Sequence, residues 1–222
     1  MSPTLNVPVP LLLDFSRSTV EEIAILCVAL LVAITVSAES QAFAATFLGD
    51  NRTEPGKRHH FNAFLHLDLF GTLCFFLAGF GWAREVAVDK TKFRHPRFYF
   101  LLSRLAGPLG NFLMANIAAS LIWILGSFGW EDKVFSSLLV VNFMMAVYGL
   151  LIIPPLPGAA IITVVLPDTR PWQTILKYLR FAGPYLLLGA FILLRLQYGD
   201  LSQLSINSLV RTGCVFLQNF AL

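Results

Sequence analysis

Between Leu105 and Trp130 the chain carries no charged residue. A helix of that length, at ~1.5 Å per residue, crosses the ~30 Å hydrocarbon core of a bilayer. In water the run would need complete burial, and the remaining sequence cannot supply the cover. Of the 222 residues, 56% are hydrophobic and 13% charged, with a mean hydropathy of +0.71. A water-soluble globule is excluded. What remains is an all-α integral membrane protein. The net charge of +3 is small and lies close to apolar segments, which argues against nucleic acid as a partner. Cys27, Cys74 and Cys214 show no CxxC or CxH spacing, so neither a disulfide framework nor a thiolate metal site is indicated.

The first apolar helix is expected from Ile23 to Leu48, with Glu39 as its one charge. Residues 1–22 are Pro-rich and place Arg17 after the short apolar run, the wrong order for a cleaved signal peptide, so they form a segment outside the core. A polar loop from Gly49 to Asn62 precedes the apolar stretch Leu69–Ala83. Gly71, Gly79 and Gly81 interrupt that stretch, and it falls short of the ~20 residues a span needs, which predicts a re-entrant or broken segment. The basic stretch Arg84–Arg104 then leads into the uncharged run. A further span begins at Val134 and is expected to end at Pro154, Pro155 and Pro157. Another is Phe181–Leu194, bracketed by Arg180 and Arg195 for snorkelling, and the tail 201–222 is a sixth span or an interfacial helix. The expectation is thus a multi-pass protein with about 5–6 membrane segments.

A re-entrant Leu69–Ala83 puts the loops on either side of it on one face with residues 168–180. That face then holds every Lys and Arg except Arg17, Lys133, Arg195 and Arg211. By the positive-inside rule it is cytoplasmic and the N-terminus lies outside.

Six local patterns occur in an order that resembles the site-2 protease family of intramembrane zinc metalloproteases, in its small bacterial form. They are Ala42–Asp50 (AFAATFLGD, similar to the segment after the family's HExxH), Asn62–Thr72 (NAFLHLDLFGT, similar to NPxxHIDPxGT) and Phe80–Val88 (FGWAREVAV, similar to FGWAKPVPV). The others are Phe93–Arg97 (FRHPR, similar to FRNPR), Ala106–Asn111 (AGPLGN, similar to AGPxxN) and Gly149–Gly158 (GLLIIPPLPG, similar to NLLPIPPLDG). The resemblance implies a site-2-protease-like membrane core over residues 23–166, followed by C-terminal transmembrane or interfacial helices over 167–222. It also implies a bacterial inner-membrane location.

A zinc protease needs two imidazoles one helical turn apart, a third ligand from elsewhere, and a carboxylate to activate the metal-bound water. Anchored on Leu48-Gly49-Asp50, the family's HExxH falls on Ser37-Ala38-Glu39-Ser40-Gln41. The ligand positions are then Ser37 and Gln41, and the catalytic glutamate position is Ala38. Sliding the register by one puts Glu39 at the catalytic position, but the ligand positions become Ala38 and Ala42. The family's third ligand is Pro157 here, and the Asn that heads the same motif is Gly149. The resemblance therefore implies a pseudoenzyme with no catalytic residue, no metal ligand and no cofactor.

Several polar residues remain to be placed. Glu39 inside an apolar helix is either functional or sits near the membrane surface, reaching water or pairing with a basic residue such as Arg104. His66 and Asp68 are expected to order the loop entering the short segment; His59 and His60, being adjacent, direct their rings apart, and His95 belongs to the FRHPR turn. Asn111, Asn116 and Asn142 are read as interhelical hydrogen-bonding groups. Arg84, Lys90, Lys92, Arg94, Arg97 and Arg104 are read as a cytoplasmic or lipid-facing basic surface, and Trp82, Trp130 and Trp172 as an aromatic belt.

The expected role is that of a structural or accessory subunit of a larger membrane complex. Its partners are other integral membrane proteins and lipids, with a transmembrane helix in the former substrate cleft as one occupant. Two alternatives stay open: an intramembrane metallopeptidase using Glu39, His66 and Asp68, and a transporter-like role for Glu39 and the broken segment.

Overall fold

The computed structural model describes residues 19–50, 61–130, 132–167, 169–198 and 212–217. It is an all-α membrane protein, as expected, and the described residues hold no strand, only an isolated antiparallel bridge between Leu67 and Ala83. Among the described residues three helices are long and apolar enough to cross a membrane. The expectations for residues 1–18, for His59 and His60, and for residues 201–211 and 218–222 fall outside the described residues.

Helix α1 (Val20–Phe47) starts three residues before the sequence boundary, because Thr19 and Glu22 form a reciprocal capping box, with bonds of 3.1 and 3.2 Å. Its buried residues include Ala29, Ala33, Ala38, Ala42 and Ala45, small side chains that let neighbouring helices approach closely. Helix α2 (Leu69–Ala78) is too short to span. Asp68 caps its start by accepting from the Gly71 amide at 2.8 Å, and Gly79, at φ 82°, ends it. The broken segment is therefore a short helix followed by extended chain.

Helix α3 (Pro96–Ser127) begins well inside the expected basic loop, with proline at its first position. Helix α4 (Lys133–Gly149) ends at Gly149, several residues before the prolines that were expected to stop it. It has 17 residues, yet everything from Ser137 to Ala146 is buried. Protein rather than lipid surrounds most of it, so its length need not match the bilayer. A short α5 (Ala160–Val165) leads to α6 (Arg170–Tyr198), a continuous helix where a span from Phe181 was expected. Arg180 consequently lies within this helix, not at its start.

Helices α1, α3 and α4 pack on one another, and α2 packs on α6. Phe80, in the chain after α2, joins the two groups. Its ring stacks on Tyr148 of α4 at 4.0 Å and meets Phe191 of α6 edge-on at 4.7 Å. Residues 212–217 add a short helical stretch in which Gly213 lies against the Phe143 ring.

The polar residues differ from expectation in three places. Asn116 and Asn142 donate to Phe112 and Leu138 carbonyls of their own helices, so neither bond joins two helices, and Asn111 is buried with its carbonyl oxygen unbonded among the described residues. Trp82 is 3% exposed and belongs to the core rather than to an aromatic belt, while Trp130 is exposed. Cys74 and Cys214 are buried and Cys27 is half-buried.

Candidate functional site

On a helix successive residues turn by ~100°, so Ser37 and Gln41 share one face of α1 and Glu39 lies on nearly the opposite one. The structure separates them accordingly. Ser37 and Gln41 line a cavity of about 80 Å³, large enough for a few waters. Its far wall is the chain that leaves α4, including Gly149 and Pro157. Four positions far apart in sequence, two on α1 and two in the GLLIIPPLPG segment, thus meet at one hollow. Ala38 and Ala42 are buried, and neither is among the residues lining it.

Close packing brings α1 and α3 together beside this cavity. A Cβ on Gly107 would come within 2.7 Å of Gln41 Nε2 and 2.8 Å of Ser37 Oγ. A Cβ on Gly110 would meet Ser40 more tightly still, and one on Gly149 would come within 2.9 Å of the Pro108 ring. The AGPLG sequence is therefore a contact surface made of missing side chains.

Into the hollow reaches Arg104, whose residue is 7% exposed. Its Nη1 donates to Gln41 Oε1 at 3.0 Å, its Nη2 pairs with Glu85 Oε1, and Gln41 Nε2 in turn faces Ser37 Oγ at 3.5 Å. Arg104 is thus not part of a lipid-facing basic surface. Of the other residues assigned to that surface, Lys90 packs its ammonium over the Phe100 ring at 3.7 Å and Arg97 reaches the Leu166 carbonyl at 3.5 Å. Arg84 ties the Leu67–Ala83 bridge through its own amide, which donates to the His66 carbonyl at 2.7 Å. Lys92 closes a one-turn helix Lys90–Lys92, while Arg94 precedes α3 on the exposed surface.

The cavity side chains do not fit a zinc ion. Zinc is held by imidazole nitrogen, thiolate or carboxylate, whereas a hydroxyl, a carboxamide, a proline and a guanidinium face this space. The carboxylate present, Glu85, is already paired to Arg104, and a fixed guanidinium repels a dication in a low-dielectric site. Among the described residues no three of His, Cys, Asp and Glu come close enough together to hold a metal.

Glu39 meets His66 on the other face of α1. Their Oε1 and Nε2 atoms are 3.1 Å apart and each side chain is 11% exposed. Its partner is therefore His66, where Arg104 had been the expected candidate. Asp68 does not join this pair, since it caps α2. Asp50, at the end of α1, accepts from the Asp89 amide at 2.9 Å and so anchors the far end of the extended chain 80–89.

Sequence reasoning missed Glu85 and Arg180, which line the cavity together with Arg104. Glu85 had one visible signal, as the acid in the stretch that opens the basic region. Arg180 had been read only as a bracket to the last span, and the packing of α6 is what brings it to the cavity.

Over 151 residues, 64% of this chain and 69% of the relative, the sequence is 33% identical to a Bacillus subtilis (strain 168) protein named "Putative zinc metalloprotease YwhC". No family model matches the chain, and no solved structure does.

Proposed function

This chain belongs to the family of YwhC, a zinc-metalloprotease family consistent with a site-2-protease-like core, and from that premise we propose that it is a non-catalytic member, retained as a structural or accessory subunit of a bacterial membrane complex. One observation carries the reading. The positions that the resemblance assigns to the three zinc ligands, Ser37, Gln41 and Pro157, line a cavity in which Arg104 bonds Gln41. A buried cation on a protein stem supplies the positive charge that a metal would bring, without a Lewis-acid function or a bound water to activate. Convergence of these positions also favours the first of the two registers, since Ala38 and Ala42, the ligand positions of the second, are not among the residues lining the space.

Metal analysis of the purified full chain tests this, with zinc at background level as the expected result. A graft sharpens it. Ser37→His, Ala38→Glu, Gln41→His and Pro157→Asp together are expected to leave zinc unbound while Arg104 remains, and to bind it once Arg104→Ala is added. Zinc bound stoichiometrically by the unaltered chain would overturn the reading. The subunit role is tested by gentle-detergent purification from the native membrane, where co-purification of defined membrane proteins at fixed ratio is expected and an isolated monomer would refute it.

The metallopeptidase alternative draws on the Glu39–His66 pair, two groups that can both ligate zinc. It predicts zinc that disappears in His66→Ala. The cap made by Asp68 removes the third ligand this alternative had relied on.

A further inference from the structure

The Arg104 cavity has features that a purely vestigial space would not need. It opens, past Glu85, Phe100, Arg104 and Arg180, into a wider hollow of about 560 Å³ along the chain 85–90. Two guanidiniums thus face the passage from α3 and α6, and one carboxylate answers them. The pairing is lopsided in exposure: the Arg104 side chain is 8% exposed and that of Glu85 is 60% exposed. A carboxylate so open to solvent can leave, whereas the guanidinium cannot. Of the other charged groups on the outer hollow, Asp89 is engaged by the Thr91 amide and hydroxyl, at 3.1 and 2.7 Å, and Lys90 by the Phe100 ring.

We infer that the cavity is a binding site for one oxyanion, the carboxylate or phosphate head of a membrane amphiphile, held between Arg104 and Arg180 in the place where Glu85 now sits. Glu85 is the chain's own stand-in for that ligand. Guanidinium forks match planar carboxylate and phosphate oxygens bidentately, and an excess of positive charge beside low-dielectric walls draws an anion in. The walls supply the rest of the recognition. Trp82, Phe100 and Leu156 line the inner space, too small for a sugar or a base, while Val86, Ala87 and Val88 give the outer hollow an apolar wall. An acyl chain fits that setting. A soluble polyanion does not.

This deepens the reading of the cavity as a former metal centre, so zinc content is measured on the same preparation. Stoichiometric zinc defeats the earlier reading, whereas failure to bind an amphiphile in zinc-free protein defeats this one.

The full chain is placed in phosphatidylcholine nanodiscs doped with phosphatidate or with oleate, and the amphiphile retained per protein is measured by native mass spectrometry. In a third arm inorganic phosphate is added to discs of phosphatidylcholine alone. Retention of a single anionic amphiphile is expected, weakened about tenfold or more by Arg180→Gln and strengthened by Glu85→Gln, which removes the competitor. Both side chains are solvent-exposed, so these variants keep the fold. Lys177→Gln, a neutralisation on α6 outside the cavity, is expected to change nothing. Equal retention in the unaltered chain, Arg180→Gln and Glu85→Gln would overturn the site, and tighter binding of inorganic phosphate than of either amphiphile would overturn the amphiphile as its ligand.

Discussion

Two polar pairs flank the last turns of α1, one on each face. Glu39 with His66 is closed on both sides, each side chain 11% exposed, while Arg104 with Glu85 is closed at the arginine and open at the glutamate. The closed pair joins α1 to the one-turn helix Ala63–His66 and, through the His66 carbonyl, to Arg84. The open pair borders a passage, and its carboxylate is replaceable. One helix therefore carries a structural fastening and a candidate binding site about half a turn apart.

The contrast predicts a graded set of losses. His66→Leu strands Glu39 in the interior and should cost about 3 kcal/mol, read by unfolding of the detergent-solubilised chain; the double variant with Glu39→Leu should recover most of it. A loss below about 1 kcal/mol would mean that the pair is not closed. Arg104→Ala gives up a charge-assisted bond to Gln41 and the packing of its stem, which should cost about 2 kcal/mol in the same measurement. Gly107→Ala should cost a similar amount, about 1–3 kcal/mol, by forcing Gln41 and Ser37 away from α3. Its thermal midpoint should fall without any change at the Glu39–His66 pair, which keeps the two faces distinguishable. The smallest effect belongs to Glu85→Ala, under about 1 kcal/mol, because the ion pair it removes is screened on one side. If Glu85→Ala destabilised the protein as much as His66→Leu does, the proposed difference between the pairs would be gone.

Much of the fold was readable from charge spacing and glycine positions. The uncharged run is the body of α3, the interrupted apolar stretch is the short α2, and Glu39 lies within α1 as expected. Helix ends were less readable. Pro96 could have announced the start of α3 as a first-turn proline, but the basic residues around it look like loop. The end of α4 at Gly149 precedes the obvious prolines because the chain turns there to form the cavity wall.

The candidate site was legible by resemblance in four of its positions, Ser37, Gln41, Gly149 and Pro157. What occupies it was not. Arg104 and Gln41 are 63 residues apart in sequence, and nothing local distinguishes a buried arginine from the five surface cations assigned beside it. The opposition of Glu39 to Ser37 and Gln41, by contrast, follows from the helical period alone.

The sequence by itself determined that the chain lives in a membrane as helices, because long runs without charge cannot be solvated and their backbone groups must bond within each segment. It also determined which residues could not ligate zinc, since that is a matter of donor chemistry. Only the tertiary structure decided which charges are paired. An arginine's partner depends on helices crossing at glycine contacts, and the same guanidinium is a surface cation in one packing and the centre of a cavity in another.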